Sequence, residues 1–416
     1  MESKQRCIII GASHAAAQLA PVLRQRGWAG TISMISNEYY LPYHRPPLSK
    51  DYLAGIKSLE QMLIRSPEVY RKSNISISMG VTATSIDRAN KQLILDDGAS
   101  LEYDKLVITT GARVRKIDIP GSDLKGVFYL RNLNNAQKIK PFTGSDKRAV
   151  IIGGGYIGLE TAAALRKLNM QVTVLEALPG ILQRVTAPEV ADFFSRTHRE
   201  EGVEIVTNEQ VIAITGDKKV ASVECLSGAD YPADIVIIGI GVIPNVELAA
   251  EAGLHIDNGI KVDEYARTND VDILAAGDCT SHFNPIYQRQ MRLESVQNAQ
   301  DQASVVANTL CGKLKPYAAL PWFWSDQYDL KLQIAGLCQG YTDIVIRGDI
   351  KGSRHFSVFY LQEDKLLAVD AVNSPQEFML GKRLILQGNS MDAGQLADEN
   401  IALRGLLASS PVTANA

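Results

Sequence analysis

Short, nearly unbroken apolar runs alternate with helix-length stretches through the first two thirds of the chain, and a residue-by-residue alternation replaces them near the end. Residues 6–11 read as a strand buried on both faces, and 12–26 as the helix that follows, stopped by Gly27. TISMIS (31–36) is the next strand, and ISISMG, KQLILDDG and KLVITTGA carry β-structure to residue 112. A polar crossover, RVRKIDIPGSDLKG, leads to a second β-α-β series from about Arg148 to ADIVIIGIGVIPN at 233–245. The strand of DILAAGDCT and a helix over about 295–310 follow. Beyond Pro316, LKLQIAGL, DIVIRGD and HFSVFYLQEDKLLAVDAV alternate as antiparallel strands, and a helix is expected over about 375–388.

Strand–helix alternation predicts an α/β fold with two Rossmann-type domains, and the antiparallel end predicts an α+β domain after them. The expected layout is a discontinuous first domain (1–113 and 246–318), a second domain inserted into it (114–245), a C-terminal domain (319–404) and a mobile tail (405–416). A length of 416 residues suits two or three cores. A net charge of −3 gives no general attraction to nucleic acid or anionic membrane, so any basic site must be local. No apolar run is long enough for a bilayer and no leader is evident, so the chain reads as cytoplasmic. The five cysteines are scattered, with none closer than Cys311 and Cys338. That spacing argues against a local metal or iron–sulfur site and against a closely spaced redox disulfide, and each thiol is expected to be buried in apolar surroundings.

Two turns carry the chemistry. In AVIIGGGYIGLETAAAL, Gly153, Gly155 and Gly158 match G-x-G-x-x-G between a strand and a helix. The glycines permit the bend, the close approach of a pyrophosphate and tight helix–strand packing, while the helix N-terminus favours phosphate. Glu176 stands 23 residues after Gly153, close to the ~20 expected of an acid that holds the adenosine ribose. Neither of the next two residues, Ala177 and Leu178, is an arginine, so NADH is favoured over NADPH. The first turn, CIIIGASHAAAQLA, is degenerate, with Ser13 and Ala16 where glycines would stand and Asn37 at the ribose position. Arg45 and Lys50 in LPYHRPPLSK are cations near its expected phosphate end. With Gly277 and Asp278 late in the chain, the pattern points to a flavin in one domain and a nicotinamide in the other.

LPYHRPPLSK, GGGYIGLE, AAGDC and PWFWSDQY, in that order, resemble the FAD-dependent ferredoxin reductases of bacterial oxygenase systems, which are glutathione-reductase-like flavoproteins. The resemblance runs to roughly residue 385. It implies FAD contacts at Gly11, His14, Ala15, Asn37, Arg45, Lys50, Ala83, Arg131, Asp278, Val296 and Trp324. It places NADH at Gly153, Gly155, Tyr156, Ile157, Gly158 and Glu160, with Glu176 and Gly241. It implies no metal site.

Catalytic roles are expected for Lys50, Glu160 and Trp324. Lys50, from the first domain, would pair with Glu160 beside the flavin N5; the alternative is a structural interdomain salt bridge. Thiol relays use cysteines where this chain has none, which leaves an external electron carrier; the resemblance implies that this is an acidic [2Fe–2S] ferredoxin serving a cytochrome P450 or a ring-hydroxylating dioxygenase. Trp322 is expected in the core. Local basic candidates for docking are Arg289, Arg292, Lys313, Lys315, Lys382 and Arg383. The competing readings are an NADH oxidase or quinone reductase, and a redox sensor like apoptosis-inducing factor.

Overall fold

The computed structural model describes residues 5–407, so nearly all of the tail expected to be mobile lies outside the described residues. The chain divides into two compact units, each assembled from three segments: 1–48, 55–115 and 241–319 in the first, 49–54, 116–240 and 320–416 in the second.

In the first unit, five parallel strands lie in the order Ile273–Ala275, Lys105–Ile108, Arg6–Ile10, Thr31–Ser36 and Ile75–Met79. Central strands of such a sheet are covered on both faces, which is why Cys7–Ile10 and Leu106–Ile108 are apolar without alternation. One face carries helices His14–Gln25 and Val296–Leu310. Their contact is built from small side chains, among them Ala16, Ala20, Ala303 and Ala307, which let the two helices approach closely. The first helix begins at His14 rather than at Ala12, because Ser13 stays extended at φ −123° as its N-cap. The other face packs on a small antiparallel sheet of Ala83–Asp87, Gln92–Leu95 and Ser100–Glu102.

The second unit holds a parallel sheet in the order Val203–Val206, Gln171–Leu175, Arg148–Ile152, Ile235–Ile238 and Val127–Tyr129. Its other sheet is antiparallel, with the order Trp322–Gln327, Leu330–Gly336, Lys365–Val372, Phe356–Gln362 and Asp343–Gly348. Helix Pro375–Gln387 covers that sheet and ends in left-handed Gly388. Gly381 allows its close approach, since a Cβ there would fall 2.5 Å from Val369 Cγ1. Among the described residues no helix is long and apolar enough to cross a membrane.

Candidate functional site

The second unit forms a dinucleotide turn from the residues the sequence picks out. Strand Arg148–Ile152 runs into Gly153 at φ +109°, and helix Tyr156–Lys167 starts after Gly155. A Cβ on Gly153 would lie 2.6 Å from the Gly239 carbonyl oxygen, and one on Gly158 would lie 2.1 Å from that of Gly153. Both glycines therefore press helix on strand. Gly155 has no atom near its Cβ position, and no side chain caps the helix at its N-terminus. These features fit a pyrophosphate. Glu176, just past strand Gln171–Leu175, accepts from the Gly154 N–H at 2.7 Å and the Leu178 N–H at 2.9 Å. Its carboxylate is thus fixed beside the turn. The Tyr156 ring packs 4.9 Å from that of Phe323, and Ile157 is exposed. Gly241, at φ +103° and open on its Cβ side, opens the last segment of the first unit and is not grouped with the other nicotinamide candidates.

The first unit's turn works with fewer glycines. Gly11 sits at φ +100°, and a Cβ there would meet the Thr109 carbonyl oxygen at 2.4 Å. Ala15 is buried and approaches the Cβ position of Gly277 at 3.6 Å, which brings the two ends of the proposed flavin motif together within this unit. Although Ser13 is the N-cap residue, its hydroxyl makes no capping bond and accepts instead from Arg45 Nε at 3.0 Å. Arg45 also pairs with Glu38, whose other oxygen accepts from the Tyr43 hydroxyl. Asn37 is exposed, so the acid that is tied into this end of the fold is its neighbour Glu38. His14 is buried with its ring 5.5 Å from that of His44. Ala83, Asp278 and Val296 are half-buried in this unit, Val296 opening the helix capped by Ser295. Arg131 belongs to the second unit, just before helix Leu133–Ile139.

Sequence reasoning overlooked the support of the late Gly-Asp turn. Gln302 accepts from the Gly277 N–H at 2.7 Å and from the Thr280 hydroxyl at 2.8 Å, and its amide nitrogen faces His282 Nδ1 at 3.1 Å. A buried glutamine on a helix facing Gly-Asp was the available signal.

Lys50, Glu160 and Trp324 fall together in the second unit. This corrects the expectation that Lys50 belongs to the first domain: the short segment Ser49–Ala54 packs with the second unit, so its ion pair with Glu160 is internal to that unit. Lys50 Nζ lies 3.0 Å from Glu160 Oε1 and 3.8 Å from Asp326 Oδ2. Glu160 also accepts from Ser49 Oγ and Ser325 Oγ, each at 2.7 Å. Burial raises the Glu160 pKa above the usual carboxylate value, against the opposing pull of Lys50 and the two hydroxyls. On strand Trp322–Gln327, Ser325 and Gln327 are buried while Trp322, Trp324 and Asp326 are half-buried.

Three further expectations change. Trp322 is not core: it is half-buried, with Phe378 5.9 Å from its ring and Lys382 Nζ 5.3 Å from its centroid. Lys382 thereby covers aromatic surface, Arg292 is paired with Glu294, Arg289 lies over the Tyr287 ring and Lys313 donates to the Arg26 carbonyl oxygen, so at least four of the six basic docking candidates have local partners. Cys311 and Cys338 are half-buried, whereas Cys7, Cys225 and Cys279 are buried, and no disulfide joins any of the five. Among the described residues no cluster could hold a metal ion.

Known proteins match this arrangement over its whole length. Residues 5–303 match the pyridine nucleotide-disulphide oxidoreductase family, and residues 322–407 match the reductase C-terminal family. Putidaredoxin reductase of Pseudomonas putida is 44% identical over 414 residues, 98% of each chain. Rhodocoxin reductase of Rhodococcus erythropolis is 40% identical over 398 residues, 95% of this chain and 93% of that one. The crystal structure of a covalent putidaredoxin reductase–putidaredoxin complex superposes with a TM-score of 0.95 at 43% identity, covering 99% of this chain and 100% of that one. The chain belongs to the pyridine nucleotide-disulphide oxidoreductases, among the FAD-dependent reductases that end in a reductase C-terminal domain.

Proposed function

We propose that this protein is an NADH-dependent ferredoxin reductase that feeds electrons, through a [2Fe–2S] ferredoxin, to a terminal oxygenase in the cytoplasm. The observation that carries the reading is full-length likeness to oxygenase-system reductases, one of them solved joined to putidaredoxin. Rhodocoxin reductase and an anthranilate 1,2-dioxygenase reductase component, each 40% identical, speak for the same class of partner. The terminal enzyme is a cytochrome P450 or a ring-hydroxylating dioxygenase.

FAD, when bound, accepts a hydride from a nicotinamide and releases its electrons one at a time. The residues assigned here do the rest. Gly153, Gly155 and Gly158 with the N-terminus of helix Tyr156–Lys167 bind the NADH pyrophosphate, Tyr156 and Ile157 flank it, and Glu176 takes the adenosine ribose, with Gly241 as a further contact. Gly11, His14, Ala15, Asn37, Arg45, Ala83, Arg131, Asp278 and Val296 bind FAD. Lys50, held by Glu160, would supply a fixed positive charge to a bound flavin, and Trp324 would contribute a further flavin contact. A thiol relay has no counterpart in this reaction, because Ser49 stands in the loop where oxidases of this fold carry their cysteine.

Anaerobic stopped-flow with NADH, followed by a [2Fe–2S] ferredoxin, tests the reading. Flavin bleaching and then rapid recolouring as ferredoxin is reduced is the expected result. Bleaching that persists until oxygen is admitted would favour an oxidase or a sensor instead.

A further inference from the structure

Behind the Lys50–Glu160 pair runs a line of buried polar side chains that the reaction described above leaves unused. Ser325 Oγ is 2.7 Å from Glu160 Oε1, and Gln327 Nε2 is 3.1 Å from Ser325 Oγ. Gln327 Oε1 is 2.7 Å from His198 Nε2, and the Tyr328 hydroxyl is 3.1 Å from His198 Nδ1. Glu160 is 3% exposed, Ser325 and Gln327 1% each, and His198 0%, so water offers these groups no substitute partners. Helix Tyr156–Lys167 supplies Glu160, helix Pro188–Glu200 supplies His198, and strand Trp322–Gln327 with its following turn supplies the rest.

One charge fixes every hydrogen in the line. An ionised carboxylate only accepts, so Ser325 must donate its single proton to Glu160. Ser325 then accepts from Gln327, which presents its amide nitrogen there and leaves its oxygen for His198. The His198 proton therefore sits on Nε2. Burial presses the His198 pKa down to about 4, so the ring is neutral and Nδ1 accepts from Tyr328. All four bonds point their positive ends toward Glu160, an alignment in which each strengthens the next. Tyr328 stands at φ +55°, a backbone region that L side chains rarely adopt, and from there its hydroxyl reaches His198.

We propose that His198 is a positioning residue for Glu160: its ring sets the direction of this line of donors, and the line keeps Glu160 ionised and aimed at Lys50 where water is nearly absent. Lys50 is the cation facing Glu160, with Asp326 on the far side of Lys50 and the Tyr156 hydroxyl nearby. Glu201 acts on His198, and Arg166 and Arg354 lie near Tyr328. The benefit to hydride transfer rests on the role proposed for Lys50 and Glu160; the hold on Glu160 does not.

The test is carbon-13 NMR of holoenzyme labelled at glutamate side-chain carboxyls, with the Glu160 signal identified by its loss in Glu160→Gln. His198→Phe keeps the bulk of the ring and removes the donor, and the Glu160 pKa is expected to rise by about one unit. At a given pH above it, that is about tenfold more of the neutral acid. His198→Gln, which again offers an N–H to Gln327, should return the value toward wild type. Gln327→Met interrupts the line at its centre and should shift Glu160 the same way, even if His198→Phe does not fold. An unshifted Glu160 in either folded variant overturns the proposal, because a merely structural His198 would lower stability without moving that carboxyl. Hydride transfer in Glu160→Gln is read separately: an unchanged rate would refute the role of the ion pair, while a shifted Glu160 in His198→Phe would still support the line of donors.

Discussion

Replacing Lys50 by methionine leaves the Glu160 carboxylate buried with two hydroxyl donors and no cation. At the observed 3.0 Å separation and an effective dielectric of about 20, the attraction lost is about 5 kcal/mol. Part of it returns, because Glu160 can take up a proton and because Lys50 is not fully buried. A net loss of about 3 kcal/mol at pH 8 is expected, near the lower end for breaking a buried pair. The pH dependence follows from burial having already raised the Glu160 pKa in the folded protein. Between the unfolded value, about 4, and the folded one, the folded state binds the extra proton, so stability falls as pH rises through that window. Without Lys50 the folded pKa climbs further and the window widens upward. Below about pH 4 the carboxyl is neutral in both proteins, so wild type and Lys50→Met should converge. The assay is a double-mutant cycle with Lys50→Met, Glu160→Gln and the double variant, by urea unfolding of holoenzyme at pH 8 and at the lowest pH that keeps it folded. A coupling under about 1 kcal/mol at pH 8, the range of exposed pairs, would refute the reasoning. So would a coupling equally large at both pH values.

The remaining predictions concern other parts of the molecule. Glu176→Ala should raise the KM for NADH by about 10- to 100-fold, the worth of one or two hydrogen bonds to a charged group, with kcat little changed in steady-state ferredoxin reduction. Gly158→Val should abolish flavin bleaching by NADH, since its side chain would start 2.1 Å from the Gly153 carbonyl oxygen, yet the purified protein should stay yellow. Gly11→Val strains a φ of +100° and strikes Thr109, so it should instead purify without flavin colour. Burial pushes the Asp370 carboxyl up to about 6, despite hydrogen bonds donated by Thr186 and Tyr360. The Asp370 contribution to stability should therefore fall as pH rises from about 4 to about 6, and in denaturant titrations Asp370→Asn should gain stability relative to wild type across that range.

The parallel strands were legible because burial on both faces demands continuous apolar runs, and the turn because a Cβ at Gly153 or Gly158 would strike a backbone carbonyl oxygen. Strand Trp322–Gln327 defeats the usual rule. Trp322, Phe323, Trp324 and Asp326 are all half-buried, while the polar Ser325 and Gln327 are the buried positions, because the charge on Glu160 makes a polar interior favourable at that spot. No hydrophobic period can report such a choice; only the partner, 165 residues away, explains it. The place of Ser49–Ala54 was equally hidden, since six residues are too few to show a period and Glu160, a partner of Ser49, lies 111 residues further along the chain. The ties of Glu38 were hidden for a similar reason: that it, rather than its neighbour Asn37, is bonded within the protein depends on Arg45 and Tyr43.

The order of strands in the first unit has a consequence during synthesis. Strand Lys105–Ile108 leaves the ribosome early, but its neighbour on one side, Ile273–Ala275, is made more than 160 residues later. Until then the growing chain carries an unpaired parallel edge, while the parallel sheet spanning 127–238 is already complete in sequence. The inserted sheet can therefore close first, and a nascent chain stalled anywhere between residues 240 and 270 should expose an edge that invites aggregation or a chaperone.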